Sequence, residues 1–335
     1  WPMRNVLIVK PSALGDVIQA TAVLPVIKRN FPRARVSWLV FEQNAGALEG
    51  NPLIDDLSVV KRRGLGLGGM AGLLRRLREG RFDLVVDLQC LLRSGLIAYA
   101  TGSGRRAGYA NGREFSTLFY NESYEISRDM HAVDGYLLMC RKLGCRGPEE
   151  VRFVLPGGDS ERSRVERLLG ASPGGGPVVA VCPTAGWVTK AWSESSFARA
   201  ADLLVDACDA RVFWLGAPGE RPVGERAAGL MRHPSRNLVG ELSLPEVAAF
   251  LRASDLFVGN DSGLMHMAAA AGTRTAAVFG PTDPKRTGPY TERARVVTAG
   301  VDCQPCFRKK CDDLKCMSRL VPEDLAAACR DLLDH

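Results

Sequence analysis

The alternation of short apolar segments with amphipathic ones constrains the fold of this 335-residue chain more than any other feature. Apolar runs such as residues 4–10 and 83–88 have the length of buried strands, and segments with helical periodicity lie between such runs. Strands separated by helices in sequence indicate βαβ units, and therefore parallel sheets covered by helices on both faces. The sequence thus predicts an α/β fold.

The alternation occurs in two runs along the chain. The first run predicts strands at 4–10, 35–40, 57–61 and 83–88, and helices at 16–30, 70–79 and 131–143. The second run predicts strands at 178–182, 211–215, 237–239, 255–258 and 275–279, and helices at 195–207, 221–231, 244–253, 263–271 and 322–333. Neither run contains an evident internal repeat.

A segment rich in glycine and proline separates the two runs. Residues 156–158 and 173–177 flank one short charged helix at 159–169, and such Gly/Pro content marks a linker. We therefore predict an N-terminal domain at 1–156, a linker at 157–177 and a C-terminal domain at 178–335. These would be two Rossmann-like domains that face each other across a cleft, which agrees with roughly 150 residues per domain.

Composition and charge exclude several classes of protein. Hydrophobic residues make up 46% of the chain and charged residues 24%, which excludes disorder, collagen and coiled coil. No apolar run approaches the roughly 18–20 residues that span a bilayer. Because Lys10 ends the first apolar run after four residues, we expect no signal peptide and a cytoplasmic location.

The net charge of +7 favours anionic partners, although simple solubility explains it equally well. No Lys/Arg block is long enough for an arm that binds nucleic acid, so we expect no nucleic-acid partner.

Ligands of open α/β sheets bind at the carboxyl ends of strands, so the loops after strands are the candidate sites. After the first strand, Gly15 permits tight backbone geometry and Asp16 stands at a helix start. Asp16 is either a functional carboxylate or only the helix N-cap. This loop lacks the glycine patterns of dinucleotide-binding and P-loop proteins.

Three loops of the second run carry groups that suit a phosphorylated ligand. Ser262 and Gly263 place backbone N–H groups at a helix N-terminus, where phosphate binds, and Asp261 can accept hydrogen bonds from hydroxyl groups. Lys190 is a candidate phosphate partner or a solvated lysine. Glu220 follows a strand at a position suited to a ribose diol.

Four cysteines crowd into the segment before the last helix: Cys303, Cys306, Cys311 and Cys316. Their spacing is close to that of structural zinc sites, and four thiolates suffice for a closed tetrahedral site. Disulfides or free thiols are the alternatives. A zinc ion here would have a purely structural role, fixing the loop before the last helix.

Three stretches of sequence resemble the glycosyltransferase family that contains the bacterial lipopolysaccharide heptosyltransferases. They are VLIVKPSALGDVIQATAVLP near the start, PTAGWVTKAWSESSFA in the middle, and GNDSGLMHMAAAAGTRTAAVFGPTDPKRTGP towards the end. The resemblance implies a GT-B fold, with the acceptor on the N-terminal domain and the donor on the C-terminal one. It also implies inverting transfer of L-glycero-D-manno-heptose from ADP-heptose to the Kdo/heptose inner core of lipopolysaccharide, without a metal or other cofactor.

By motif position, the resemblance assigns roles to individual residues. Asp16 matches the catalytic base, with Ser12 and Gly15 on the acceptor side. The residues that match the donor site are Thr184, Lys190, Glu220, Leu242, Asp261, Ser262, Gly263 and His266. Two positions depart from the family pattern. Ser262 stands where many members have Thr, and Ala185 interrupts a pair of hydroxyl residues often found there. These departures leave the identity of the donor sugar open.

The resemblance further implies an anionic acceptor of the lipid A–Kdo type at the cytoplasmic face of the inner membrane. We expect arginines of the N-terminal domain to line its approach and to give peripheral, salt-sensitive membrane contact. The candidates are Arg62, Arg63, Arg105, Arg106 and Arg113. A related transferase with another sugar or acceptor, a non-catalytic nucleotide-binding protein and a two-domain epimerase remain as alternatives.

Overall fold

The computed structural model describes residues 3–62, 66–148, 150–171 and 175–334. The chain divides into two compact units, one ending at Val154 and the other beginning at Leu155. This boundary lies two residues before the predicted one. The predicted linker belongs to the second unit, because the helix at Asp159–Gly170 packs against the helix at Leu244–Arg252.

The first unit is a parallel sheet with helices. Its strands are β1 (Asn5–Val9), β2 (Arg35–Phe41), β3 (Asp56–Val60), β4 (Leu84–Asp87), β5 (Arg106–Tyr109) and β6 (Glu122–Tyr124). Its helices are α1 (Leu14–Ala20), α2 (Val23–Asn30), α3 (Glu42–Ala45), α4 (Leu67–Glu79), α5 (Leu92–Ala100) and α6 (Ala132–Lys142). The strand order is β3-β2-β1-β4-β5-β6, with parallel pairing at every step.

The second unit has the same architecture. Its strands are β7 (Val178–Cys182), β8 (Arg211–Trp214), β9 (Arg236–Asn237), β10 (Leu256–Asn260), β11 (Arg274–Phe279) and β12 (Ala294–Thr298). Its helices are α7 (Asp159–Gly170), α8 (Glu194–Cys208), α9 (Arg221–Gly229), α10 (Leu244–Arg252), α11 (Gly263–Ala271), α12 (Pro284–Thr287), α13 (Lys315–Ser318) and α14 (Pro322–Asp334). The strand order is β12-β11-β10-β7-β8-β9, again parallel.

The central strands are apolar because helices cover both faces of each sheet. In β1, Val6, Leu7, Ile8 and Val9 are all completely buried. In β10, Leu256 and Phe257 are completely buried as well. These continuous apolar runs are the signal by which the sequence predicts the strands.

The strand order reverses direction once in each sheet. In the first sheet the reversal lies between β1 and β4, and in the second between β7 and β10. The loops that leave two such neighbouring strands run in opposite directions and open a crevice at the carboxyl edge. The loops after β1, β4, β7 and β10 are therefore the places where each unit can bind a ligand.

Local geometry explains two differences from the predicted elements. The predicted helix at 16–30 is broken into α1 and α2, because Pro25 has no N–H to donate to the carbonyl of Thr21. The sequence reading missed α5, because Gly95 weakens its helical signal. Gly95 is needed there, since a Cβ atom would lie 2.9 Å from a ring carbon of Phe119.

Within the described ranges, no helix has both the length and the apolar character to cross a bilayer.

Candidate active site

A buried asparagine joins the loops after β7 and β10. Asn260, the last residue of β10, is completely buried. Its Nδ2 donates to the carbonyl of Pro183 at 2.8 Å, and its Oδ1 accepts from the N–H of Trp192 at 3.0 Å. Both ends of the loop after β7 are thereby fixed against β10, which places Lys190 beside Asp261.

Lys190 and Asp261 form a shielded ion pair at this position. Lys190 Nζ lies 2.8 Å from Asp261 Oδ2, and the two side chains are only 15% and 5% exposed. Asp261 Oδ2 also accepts a hydrogen bond of 2.7 Å from the Thr282 hydroxyl, and Asp261 Oδ1 lies 4.0 Å from His266 Nε2. The structure thus brings together three predicted donor residues and adds Thr282. The sequence reading missed Thr282, although it lies in the FGPTDP stretch.

The N-terminus of α11 begins directly after this ion pair. Ser262 is its N-cap, and the Ser262 hydroxyl accepts from the N–H of Met265 at 3.4 Å. Gly263 is the first helical residue. The first N–H groups of a helix have no partner within the helix, so an anion is favoured there.

The buried thiol of Cys182 lies among several predicted donor residues. Its Sγ is 3.5 Å from the Thr184 hydroxyl oxygen. Burial raises the pKa of Cys182, while hydrogen bonds with Thr184 and Ser262 oppose this rise and the charge of Glu220 adds to it. Thr184, Ser262 and Glu220 therefore act on the thiol at the end of β7.

Glu220 ends a short turn after β8 and precedes α9. Its Oε2 accepts from the N–H of Ala217 at 2.7 Å, which fixes the half-buried carboxylate. Gly216 is needed for this approach, because a Cβ atom there would lie 2.9 Å from that oxygen. Leu242 lies in the turn before α10, where its side chain is half-buried.

In the first unit, Asp16 is the third residue of α1 and not its N-cap. The N-cap is Ala13, whose N–H donates to Asp16 Oδ2 at 3.2 Å. The interpretation of Asp16 as an N-cap is therefore wrong. The Asp16 side chain is 44% exposed, and the Nζ of the buried Lys10 lies 3.8 Å from Oδ2. Lys10 is held by a hydrogen bond of 3.1 Å to the carbonyl of Leu88.

The loops after β1 and β4 meet beside Asp16. The N–H of Ser12 donates to Gln89 Oε1 at 3.4 Å, and the N–H of Gln89 donates to the buried Asp87 at 2.8 Å. Tyr120 also donates to Asp87, at 2.6 Å. Burial raises the pKa of Asp87, and these hydrogen bonds oppose the rise. Gly15 is buried within α1.

Two adjoining cavities open at this edge of the first sheet. A cavity of about 350 Å³ has a mostly apolar lining that also contains the polar side chains of Ser12, Gln89 and Glu114. An apolar groove of about 590 Å³ is lined by side chains of α4 and α5, namely Met70, Leu73, Leu74, Leu96 and Tyr99. Both are also lined by four shared residues, Phe41, Arg62, Arg93 and Ile97. Together, the two adjoining cavities fit an amphiphilic ligand.

The structure separates the predicted acceptor-side arginines into two groups. Arg62 follows β3 and Arg113 follows β5, both at the carboxyl edge that carries Asp16. Arg93 lies at the same edge, with its Nη1 3.1 Å from the carbonyl of Arg62, and the sequence reading missed it. Arg63 lies outside the described residues.

Arg105 and Arg106 are at the opposite edge, where β5 begins. Arg105 forms a bidentate pair with Glu122, at 2.6 and 3.0 Å. Arg106 donates to the carbonyls of Phe119 and Ser103. These two candidate arginines therefore do not lie beside Asp16, because strand direction places them at the amino edge of the sheet.

The four clustered cysteines line one cavity of about 410 Å³. All four thiols are free; Cys303 and Cys311 are exposed, whereas Cys316 is buried on α13. Among the residues that the structure describes, no three His, Cys, Asp or Glu side chains are arranged to hold a metal ion. The four thiols nevertheless share this cavity, and the predicted structural zinc site stays a prediction.

The chain is similar to known proteins over its whole length. It is 31% identical over 358 aligned residues to lipopolysaccharide heptosyltransferase 1 of Pseudomonas aeruginosa, with 98% of each chain covered. The crystal structure of a family 9 glycosyl transferase from Veillonella parvula superimposes with a TM-score of 0.85 at 22% identity, covering 98% and 97% of the two chains. The E. coli heptosyltransferase WaaC with ADP gives a TM-score of 0.75 at 25% identity, covering 98% and 99%.

These likenesses agree with the two parallel α/β sheets, and they identify the fold as GT-B. The sequence also matches glycosyltransferase family 9 (heptosyltransferase) over residues 70–317, which contain Lys190, Asp261 and α11. The chain is therefore an enzyme that belongs to glycosyltransferase family 9, the heptosyltransferase family.

Proposed function

We propose that this enzyme transfers L-glycero-D-manno-heptose from ADP-heptose to the Kdo/heptose inner core of lipopolysaccharide, with inversion at the anomeric carbon. The observation that carries the proposal is the Lys190–Asp261 pair beside the N-terminus of α11, in a member of family 9. The names of similar proteins, a lipopolysaccharide heptosyltransferase and a heptosyltransferase crystallised with ADP, support this substrate class.

In this proposal the donor binds to the second unit. Lys190 and the N–H groups at Ser262 and Gly263 hold the diphosphate, and Thr184 adds a hydroxyl donor. The fixed carboxylate of Glu220 accepts hydrogen bonds from the ribose diol. Leu242 contacts the adenine, while Asp261 and His266 face the sugar. We expect no metal or cofactor requirement, because Lys190 and the helix dipole can stabilise the leaving diphosphate.

Asp16 is the proposed general base. Its carboxylate is partly exposed at the crevice of the first sheet, where an acceptor hydroxyl can reach it. The base takes the hydroxyl proton, and the acceptor oxygen forms a bond to the anomeric carbon. The bond from that carbon to the diphosphate oxygen breaks, and its electron pair leaves with ADP.

The acceptor is proposed to be an anionic glycolipid of the lipid A–Kdo type. Arg62 and Arg93 line the cavity near Ser12, and with Arg113 at the same edge they offer contacts to the carboxylate and phosphate groups of the acceptor. The adjoining groove of α4 and α5 suits an acyl chain. We infer peripheral contact with the inner-membrane surface that weakens as salt increases.

The test is a transfer assay with purified protein, ADP-heptose and a Kdo–lipid A acceptor. The proposal expects ADP release that depends on the acceptor, and a product heavier by one heptose in mass spectrometry. Parallel reactions use an acceptor that already carries one heptose, and other nucleotide sugars. Transfer only from another nucleotide sugar would identify a different transferase of the same family. ADP binding without any transfer would indicate a binding protein.

A further inference from the structure

The indole ring of Trp187 lies near two lysine ammonium groups. Lys190 Nζ is 5.0 Å from the ring centre, and Lys309 Nζ is 4.8 Å from it. The two Nζ atoms are therefore no more than about 10 Å apart, the distance at which screening begins to weaken repulsion in 0.1 M salt. Cation–π contact with the ring helps to hold both cations in place.

The positive charges of Lys190 and Lys309 beside Trp187 are only partly neutralised by carboxylates. Asp261 neutralises Lys190, but in the part of the chain that the structure describes no carboxylate forms an ion pair with Lys309. Lys309 is exposed, and its neighbour Lys310 is exposed as well. Lys309 thus adds a net positive charge within about 10 Å of the Lys190 ammonium group.

The segment that carries Lys309 is fixed to the loops after β7 and β11. The Thr189 hydroxyl donates to the carbonyl of Arg308 at 2.8 Å. The N–H groups of Cys306 and Phe307 donate to the carbonyl of Pro281 at 3.0 and 2.7 Å. These contacts lie next to Lys190 and to Thr282, so Lys309 is positioned by the same framework that positions the Lys190–Asp261 pair.

We propose that Lys309 is a second cationic ligand of the donor diphosphate. The inference rests on the proposed function for the identity of the donor. When the bond to the anomeric carbon breaks, its electron pair stays on the diphosphate oxygen, and the leaving group gains one negative charge. Lys190, the other side-chain cation proposed at the diphosphate, meets this charge while still paired with Asp261. Lys309 supplies the positive charge that Asp261 does not cancel.

The proposal also gives the cysteine-containing segment a role that needs no metal. Residues 303–316 hold Lys309 against the donor loops through backbone hydrogen bonds. In this proposal, the segment contributes to the donor site by positioning Lys309.

The test compares Lys309→Ala with Lys310→Ala, a matched change at the adjacent exposed lysine. Affinities for ADP and for adenosine are measured by calorimetry, and melting temperatures confirm that both variants fold. We expect Lys309→Ala to weaken ADP binding about tenfold or more and to leave adenosine binding unchanged. Lys310→Ala should stay within about twofold of wild type for both ligands, and Lys309→Arg should keep most of the ADP affinity.

Three outcomes would overturn the proposal: equal ADP affinity in the two alanine variants, an equal loss for adenosine, or wild-type protein that binds no ADP. The last outcome would also argue against ADP-heptose as the donor. Wild-type protein that binds ADP but transfers no heptose would refute the proposed function, and the comparison of the two lysines would still decide the role of Lys309.

Discussion

Lys190 Nζ and Asp261 Oδ2 lie 2.8 Å apart, although 71 residues separate them in sequence. The pair joins the loops after β7 and β10, the two strands between which the second sheet reverses its order. A phosphate group that binds Lys190 must compete with a buried carboxylate. The pair therefore positions the lysine but also lowers the net charge offered to the donor.

Removal of the lysine should weaken nucleotide binding. We expect Lys190→Ala to reduce ADP affinity by about one to two decades, because a charge-assisted hydrogen bond contributes about 1.5–3 kcal/mol. Calorimetric titration with ADP measures this loss. Lys142→Ala, an exposed lysine of the first unit, is the control and should bind ADP normally. An unchanged ADP affinity in Lys190→Ala would show that the diphosphate does not bind to this loop.

Asp16→Asn should separate catalysis from folding. The amide oxygen can still accept the hydrogen bond from Ala13, so the melting temperature should change little. Turnover should fall by roughly 10²–10⁴-fold, the contribution of a positioned general base. ADP affinity should persist, because the proposed nucleotide site lies in the other unit. Asp129→Asn, at an exposed position of the same unit, serves as control. Near wild-type turnover in Asp16→Asn would exclude the residue as the base.

Arg105→Ala should reduce stability and leave the acceptor KM unchanged. The hydrogen bonds from Arg105 lower the pKa of Glu122, so the folded state favours the charged carboxylate. This stabilisation is fully present above the unfolded pKa of about 4.3 and is lost as pH falls through the folded value. We expect a loss on the order of 1 kcal/mol at pH 7, shrinking below about pH 4. Thermal unfolding across this range measures it.

The control for this prediction is Arg152→Ala. Arg152 pairs with Glu150 in a fully solvated setting, with both side chains more than 70% exposed. Removing that pair should change stability very little. A raised acceptor KM in Arg105→Ala would show that Arg105 contributes to acceptor binding.

A charge in the apolar groove should act only on acylated acceptors. Leu96→Glu places a carboxylate among side chains of α4 and α5, where Leu96 is already 46% exposed, so the fold should tolerate it. We expect the KM for the acylated acceptor to rise about tenfold or more, since each methylene group left in water costs about 0.8 kcal/mol. The KM for a deacylated acceptor should not change.

The matched control is Leu118→Glu. Leu118 is 77% exposed on the same unit and lines neither cavity. Both acceptors should behave normally in this variant. If Leu96→Glu affected the two acceptors equally, the groove would not hold an acyl chain.

The sequence pattern predicted the central strands, most of the helices and the loops that carry the site, but it missed the outer strands β5, β6 and β12. Some elements are recognisable from residues that are close together in sequence. Examples are the apolar run at residues 6–9 and the small-residue helix α11. The same holds for the placement of Lys190, Asp261 and Asp16 after strands. The family resemblance also rests on contiguous motifs, and the match to family 9 over residues 70–317 confirmed the family.

Which side chains meet depends on the packing of whole strands and loops. Strand order and direction sent Arg105 to the amino edge of the first sheet and brought Arg93 to the carboxyl edge beside Arg62. The contact of Lys309 with Trp187 was likewise absent from the sequence pattern. The physical reason is that such contacts join residues distant along the chain, so their distances depend on how whole strands and loops pack and not on local periodicity.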